Sequence, residues 1–277
     1  MKRIWTMAGV TFREASRKKI LWMALAAGCA FLMLFATGLH FQMASFSQRT
    51  VRPIIRRQVF GAMLMMGHYA IDLLTVVITV LMSVDTLSGE IASGTIQAVA
   101  TKPVRRSELL FGKWLGFAGM LTLYIVLLVA GINAVGYVMT GVTVRHIPQG
   151  FALIWMESLL LLSVTLFFGA CFSTVTNGVV VLGLHGLAFL GGWIEQFGAI
   201  TQTANAINVG VAASVLMPSE ALWRRAAFEM QPPLATALQM SPFSGSSVPS
   251  PAMIGYAALY TALFLMLAVR RLNARDL

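Results

Sequence analysis

Residues 88–113 read SGEIASGTIQAVATKPVRRSELLFGK. They lie between two apolar runs, 59–84 and 114–140, and how they are read decides what those runs are. Gly89 and Gly94 have the spacing of a phosphate-binding loop. Such a loop needs a lysine directly after its second glycine, between a strand and a helix, to neutralise the β- and γ-phosphates. Thr95 stands there instead, and the preceding residues end an apolar run. Lys113 follows Gly112, but Ser107 occupies the position of the first glycine. These departures argue against nucleotide binding on this chain. The segment reads better as a punctuated connection between two spans. Asp85 and Glu90 mark the exit from one run, and Gly94 and Thr95 permit a bend. Pro103 is disfavoured inside a continuing helix. Ser107 and Glu108 suit the opening of the next helix.

Composition sets the environment. The chain has 277 residues, 58% hydrophobic and 11% charged, with a mean hydropathy of +0.79. Soluble domains are about 45–50% apolar and about 25% charged. Both departures indicate a membrane protein. The formal charge of +10 then serves topology and anionic lipid headgroups. No nucleic-acid motif or aromatic-interleaved basic patch accompanies it, so nucleic acid is not an expected partner.

A bilayer crossing takes about 20 mostly apolar residues. Six segments meet that need: Ile20–Phe41, Val59–Val84, Trp114–Thr140, Phe151–Val175, Gly178–Gly198 and Ala252–Val269. The stretch TVTNG, 174–178, reads as a tight turn between the fourth and fifth. One group of loop cations comprises Lys2, Arg3, Arg13, Arg17, Lys18, Lys19, Lys102, Arg105, Arg106, Lys113, Arg270, Arg271 and Arg275. The smaller opposing group is Arg49, Arg52, Arg56, Arg57, Arg145, Arg224 and Arg225. This bias predicts both termini in the cytoplasm. Residues 1–19 fit an interfacial helix, with Ile4, Ala8, Phe12 and Ala15 as its apolar stripe. An ordinary basic flank of the first span fits equally well. Residues 199–250 are the odd part. NAINVGVAASVLM is too short to cross comfortably, and Pro218, Ser219 and Glu220 open a second helix. If the short piece spanned, Arg270 and Arg271 would fall outside. Re-entrant or interfacial helices on the outer side are therefore expected. Non-helical backbone at depth must be buried in protein or line water.

The order Glu90, Gly94–Thr95, Pro103-Val104-Arg105 and Gly112–Lys113 resembles the signature of ABC-2 type transporter permeases. TFREASRKKILW (11–22) and LMPSEALWRRA (216–226) are similar to other stretches of that family. The likeness covers nearly the whole chain, 1–277, as a single domain. It implies an all-α integral membrane fold with six transmembrane helices and an N-terminal interfacial helix. It also implies an exporter permease in a prokaryotic inner membrane that hydrolyses nothing itself. Two chains would pair, as a homodimer or with a related permease. Two ABC ATPase subunits carrying ATP and Mg would dock on the cytoplasmic face. Residues 85–113 would be the coupling loop, with Glu90, Gly94, Thr95, Pro103, Arg105, Arg106 and Lys113 meeting the ATPase. Part of the role of the three cations would be contact with membrane lipid.

Some polar residues lie within the spans. His68 and Asp72, at i and i+4, share a face of the second span. Three roles fit them: a structural pair, the lining of a pathway, or soft-metal binding helped by Met63, Met65 and Met66. Of these, metal binding is the least expected, and no metal ligand set is assigned. His185 reads as a satisfied core histidine, and Glu157 and Glu195 as interfacial residues near span ends. Gly112 with Gly116, and Gly183, Gly186, Gly191 and Gly192, offer faces for close helix approach or dimer contact. Trp114, Trp155 and Trp193 read as interfacial anchors. Cys29 and Cys171 read as small core residues. Two other classes stay open: an intramembrane enzyme using a buried Glu and His, and a non-transporting scaffold. Against the enzyme, no G-x-S-x-G, H-E-x-x-H or Glu-Glu motif is present, and no catalytic residue is assigned.

Overall fold

A computed structural model describes residues 2–17, 19–47, 52–92, 105–231 and 247–274. The described residues form ten helices. Six are long and apolar enough to cross a bilayer. They are α2 (Ile20–Ser47), α3 (Pro53–Ser83), α5 (Arg106–Thr140), α6 (Ile147–Gly169), α7 (Thr174–Ile200) and α10 (Ala252–Asn273). The remaining four are α1 (Lys2–Arg17), α4 (Asp85–Ala92), α8 (Ala204–Leu216) and α9 (Ser219–Met230). Six alternating crossings put α1 and the end of α10 on one face, called here the terminal face.

Local chemistry sets several boundaries. Pro53 opens α3, where its missing N–H costs nothing. α5 ends on Gly141, whose φ of +71° lets its N–H cap the carbonyl of Tyr137 at 2.9 Å. The first turn of α6 contains Pro148 and begins before Phe151, which places Glu157 inside the span. TVTNG does not form the α6–α7 turn. Residues 170–173 make it, and Thr174 starts α7. The Asn177 amide bonds the Val84 and Thr165 carbonyls, each at 3.1 Å, and so ties elements together instead of closing a local turn.

The core lies where α3, α5 and α6 meet. Leu64, Ile71, Leu128, Ile132, Leu160 and Val164 are buried there. α6 is the most enclosed span, and α2 and α10 the most peripheral. α1 packs on α5. It buries Ala8 and Thr11, while Phe12 of the expected stripe stays exposed, as does Trp5. The side chains of Ile4 and Ala15 fall outside the described residues. Lys19, with φ of 58°, turns the chain between α1 and α2.

α8 and α9 form a re-entrant hairpin. α8 runs back along α7, with Ala206 against Gly198 and Ala213 against Gly191. The chain then bends by 108°. α9 climbs past His185 at Ser219 and past Glu195 at Arg224. It ends where the Met230 carbonyl accepts the Arg145 N–H at 3.0 Å, beside the α5–α6 loop. The hairpin therefore enters and leaves by the face opposite the termini. At its tip Met217, Pro218 and Ser219 are buried, while Val215 and Leu216 are exposed. Tyr256 and Tyr260 of α10 donate to the Val215 and Leu216 carbonyls at 2.6 and 2.8 Å, which have no helical partner.

Other expectations need correction. Cys29 is exposed on α2 and Cys171 is half-buried, so neither is a core residue. Trp114 and Trp155 donate inward, to Ser163 at 2.9 Å and Thr122 at 2.8 Å, and so join α5 to α6. Gly116 receives α1, and Gly191 and Gly192 receive the hairpin. Around Gly183 and Gly186 there is open space.

Candidate functional site

Two places collect the polar residues. The first is at the terminal face, around α4. Thr174 at the start of α7 donates to Asp85 Oδ1 at 3.0 Å and lies 2.8 Å from Ser88 Oγ. Asn177 adds its bond to Val84. Leu87 is fully buried in an apolar cluster with Leu166 and Ala170. α4 is thus latched to the α6–α7 hairpin by both polar and apolar contacts. On its other side, Glu90 pairs with Lys113 of α5. Lys113 is only 6% exposed, so it faces Glu90 and the protein, whereas it was expected to meet the ATPase or the inner leaflet.

Arg106 donates to the Leu272 carbonyl at 2.8 Å, joining the start of α5 to the end of α10. Carbonyls at a helix C-terminus lack intrahelical donors and carry partial negative charge, so a guanidinium suits them. Arg105 is exposed, and its backbone N–H is capped by Glu108 Oε2 at 3.1 Å. Gly94, Thr95 and Pro103 lie outside the described residues. Of the sequence-assigned coupling residues, the structure brings together Glu90 and Lys113 and bonds Arg106 of α5 to the end of α10.

The second place is the interior. His68 and Asp72 share α3 but do not meet. The His68 ring bonds the Leu64 carbonyl through Nδ1 at 2.8 Å and Asn133 Nδ2 through Nε2 at 3.2 Å. Nδ1 therefore carries the hydrogen and Nε2 accepts. Asp72 instead faces Glu157 of α6. Met65 is buried but Met66 is exposed, so the methionines do not converge on the pair. Among the described residues, no group of three or more His, Cys, Asp or Glu is placed to hold a metal.

Around Asp72 and Glu157 stand residues that sequence reasoning put elsewhere or passed over. Glu157 is 1% exposed, not interfacial. His185 Nδ1 lies 2.9 Å from Ser219 Oγ and 4.0 Å from Glu157 Oε1. Glu220, on α9, is buried near Asp72, Glu157 and Arg224. Arg224, read as a loop cation, is 7% exposed. Its Nη2 bonds Glu195 Oε2 at 2.9 Å and Ser214 Oγ at 3.0 Å. Glu195 also receives the Ser247 hydroxyl. Buried charges persist only when paired and hydrogen-bonded. The Arg224–Glu195 pair meets that condition through Nη2, although Arg224 Nε and Nη1 have no partner, whereas Asp72 Oδ1 and both Glu157 oxygens have no hydrogen-bond partner at all. The signal available in sequence was the ionisable residues inside apolar runs, which default to functional or paired positions.

Six apolar crossings, a re-entrant hairpin and a buried polar interior define a multi-pass α-helical membrane protein. The chain matches the family described as ABC-2 family transporter protein over residues 5–277, and it belongs to that family. No curated protein matches it. Membership carries a transport permease role.

Proposed function

We propose that this chain is the transmembrane permease subunit of an ATP-binding cassette exporter. ATP and Mg are bound and hydrolysed by a separate ATPase, two copies per complex. The permease works as a pair, with a second copy of itself or a related chain. The terminal face is cytoplasmic and the membrane is a prokaryotic inner membrane, in keeping with the basic residues gathered on that face. His68 and Asp72 lie beside the transport pathway.

The observation that carries this reading is the double attachment of α4. It is latched to α7 through Asp85–Thr174 and paired with α5 through Glu90–Lys113. A push from an ATPase on residues 85–113, including Glu90, Gly94, Thr95, Pro103 and exposed Arg105, would move several spans together as a rigid body. Arg106 would extend that motion to α10. The test is co-purification with an ATPase subunit and measurement of ATP hydrolysis by the complex. Hydrolysis must disappear when the partner's phosphate-loop lysine is replaced, and must uncouple from transport in T174V and D85A. A complex indifferent to both variants would overturn the α4 role, and a chain that captures no ATPase would overturn the class of complex.

A further inference from the structure

The interior holds more acid than base. Tyr69 and Asp72 of α3, Glu157 of α6, His185 of α7, and Glu220 and Arg224 of α9 face one another there. Glu195 of α7 stands beside them but is held by Arg224 and Ser247. The guanidinium of Arg224 is turned to Glu195 and Ser214 through Nη2. Among the described residues, no lysine or arginine pairs with Asp72 or Glu157, which face each other.

An ionised carboxylate accepts hydrogen bonds and donates none. Two facing carboxylates in a buried site repel, and their oxygens stay unsatisfied. The structure shows that condition. Asp72 is 6% exposed and Glu157 1% exposed, and Asp72 Oδ1, Glu157 Oε1 and Glu157 Oε2 lack partners. Arg224 Nε and Nη1 are also unpartnered, but that guanidinium stands against Glu195 and Glu220. The three carboxylate atoms are acceptors, so what they lack is a donor. His185 does not supply it, because its Nδ1 is at hydrogen-bond distance from Ser219 and beyond it from Glu157. A hydrogen ion does. It forms one O–H bond, that O–H donates to the facing carboxylate, and one negative charge is removed. It also needs no cavity.

We propose that Asp72 and Glu157 together bind one exchangeable proton at the foot of the re-entrant hairpin, with Glu220 and His185 as its route toward the face opposite the termini. Ser219 and Glu220 open α9 directly after the Met217–Pro218 break. They stand at the deep end of the hairpin, where α9 meets His185 and comes nearest Asp72. Loss of the proton would leave Asp72, Glu157 and Glu220 facing one another as anions and push α9 away from α3 and α6. Proton occupancy thus sets whether the hairpin stays docked. Nothing in this inference depends on an ATPase partner.

The test uses the full chain purified in lipid nanodiscs, without nucleotide or partner, and reads the infrared C=O stretch of protonated carboxyl groups at neutral pH. The band is expected in the wild type and in E220Q, which removes the third carboxyl. It is expected to be lost in E220Q/D72N and in E220Q/E157Q, where a side-chain amide donates permanently in place of the proton. Absence of the band from the wild type or from E220Q overturns the proposal, and so does its survival in either double variant. If the double variants do not fold, the E220Q spectrum decides: a band there supports the shared proton, and its absence overturns it.

Discussion

Lys113 of α5 and Glu90 of α4 form an ion pair in which the lysine is buried and the carboxylate is 24% exposed. A cation that deep persists because an anion meets it. Replacing Lys113 with Met leaves Glu90 without that cation. Fully buried pairs lose about 3–5 kcal/mol on such a change, and the exposure of Glu90 reduces the expected loss to about 1–3 kcal/mol. The double variant K113M/E90Q should recover part of it. Thermal unfolding of the four proteins in detergent checks the coupling, and strictly additive losses would show the pair to be inert.

The Arg224–Glu195 pair is more enclosed, with both side chains near 5% exposure. R224M should cost about 3–5 kcal/mol, because it strands a buried carboxylate. E195Q should cost less, since the amide oxygen still accepts from Arg224. The order of melting temperatures is the readout.

Helix α1 rests on Gly116. A Cβ there would lie 2.8 Å from Thr11 Cβ and 2.9 Å from the Ala8 carbonyl. Backbone cannot yield as a side chain does, so G116A should lift α1, at about 1–3 kcal/mol. Gly183 has nothing within 4 Å, and G183A should be near neutral. Limited proteolysis between α1 and α2, compared across the two variants, distinguishes them.

Asn177 satisfies two carbonyls on two other elements. N177A removes both bonds and should destabilise by about 1–3 kcal/mol. In a complex with an ATPase it should also lower transport more than hydrolysis, because the latch on α4 is loosened. Transport and hydrolysis measured on one preparation give the ratio.

Apolar length made the spans legible, and loop charge gave a common side for the termini. The hairpin was legible as an anomaly, since NAINVGVAASVLM was too short to cross. What could not be read were distances between elements. His68 and Asp72 lie on one helix face, yet α5 and α6 both flank α3, so one turn suffices to give them different neighbours. Glu157 looked interfacial because the span was taken to begin at Phe151 instead of at Ile147. Arg224 was counted as a loop charge because its partner, Glu195, sits 29 residues away and on another helix. The six crossings and the family were readable from pattern. The acidic pair in the interior was not, because nothing in local sequence says that α3 and α6 turn carboxyls toward each other.

The hairpin formed by α8 and α9 has a consequence for parity. A segment that leaves by the face it entered adds no crossing. Lengthening it, shortening it or exchanging it for another of the same kind leaves α10 pointing the same way, with Arg270 and Arg271 in its last turn on the terminal face. Selection can therefore rework residues 204–230 without inverting the helix that follows. The orientation of the last span is thus independent of what the hairpin contains.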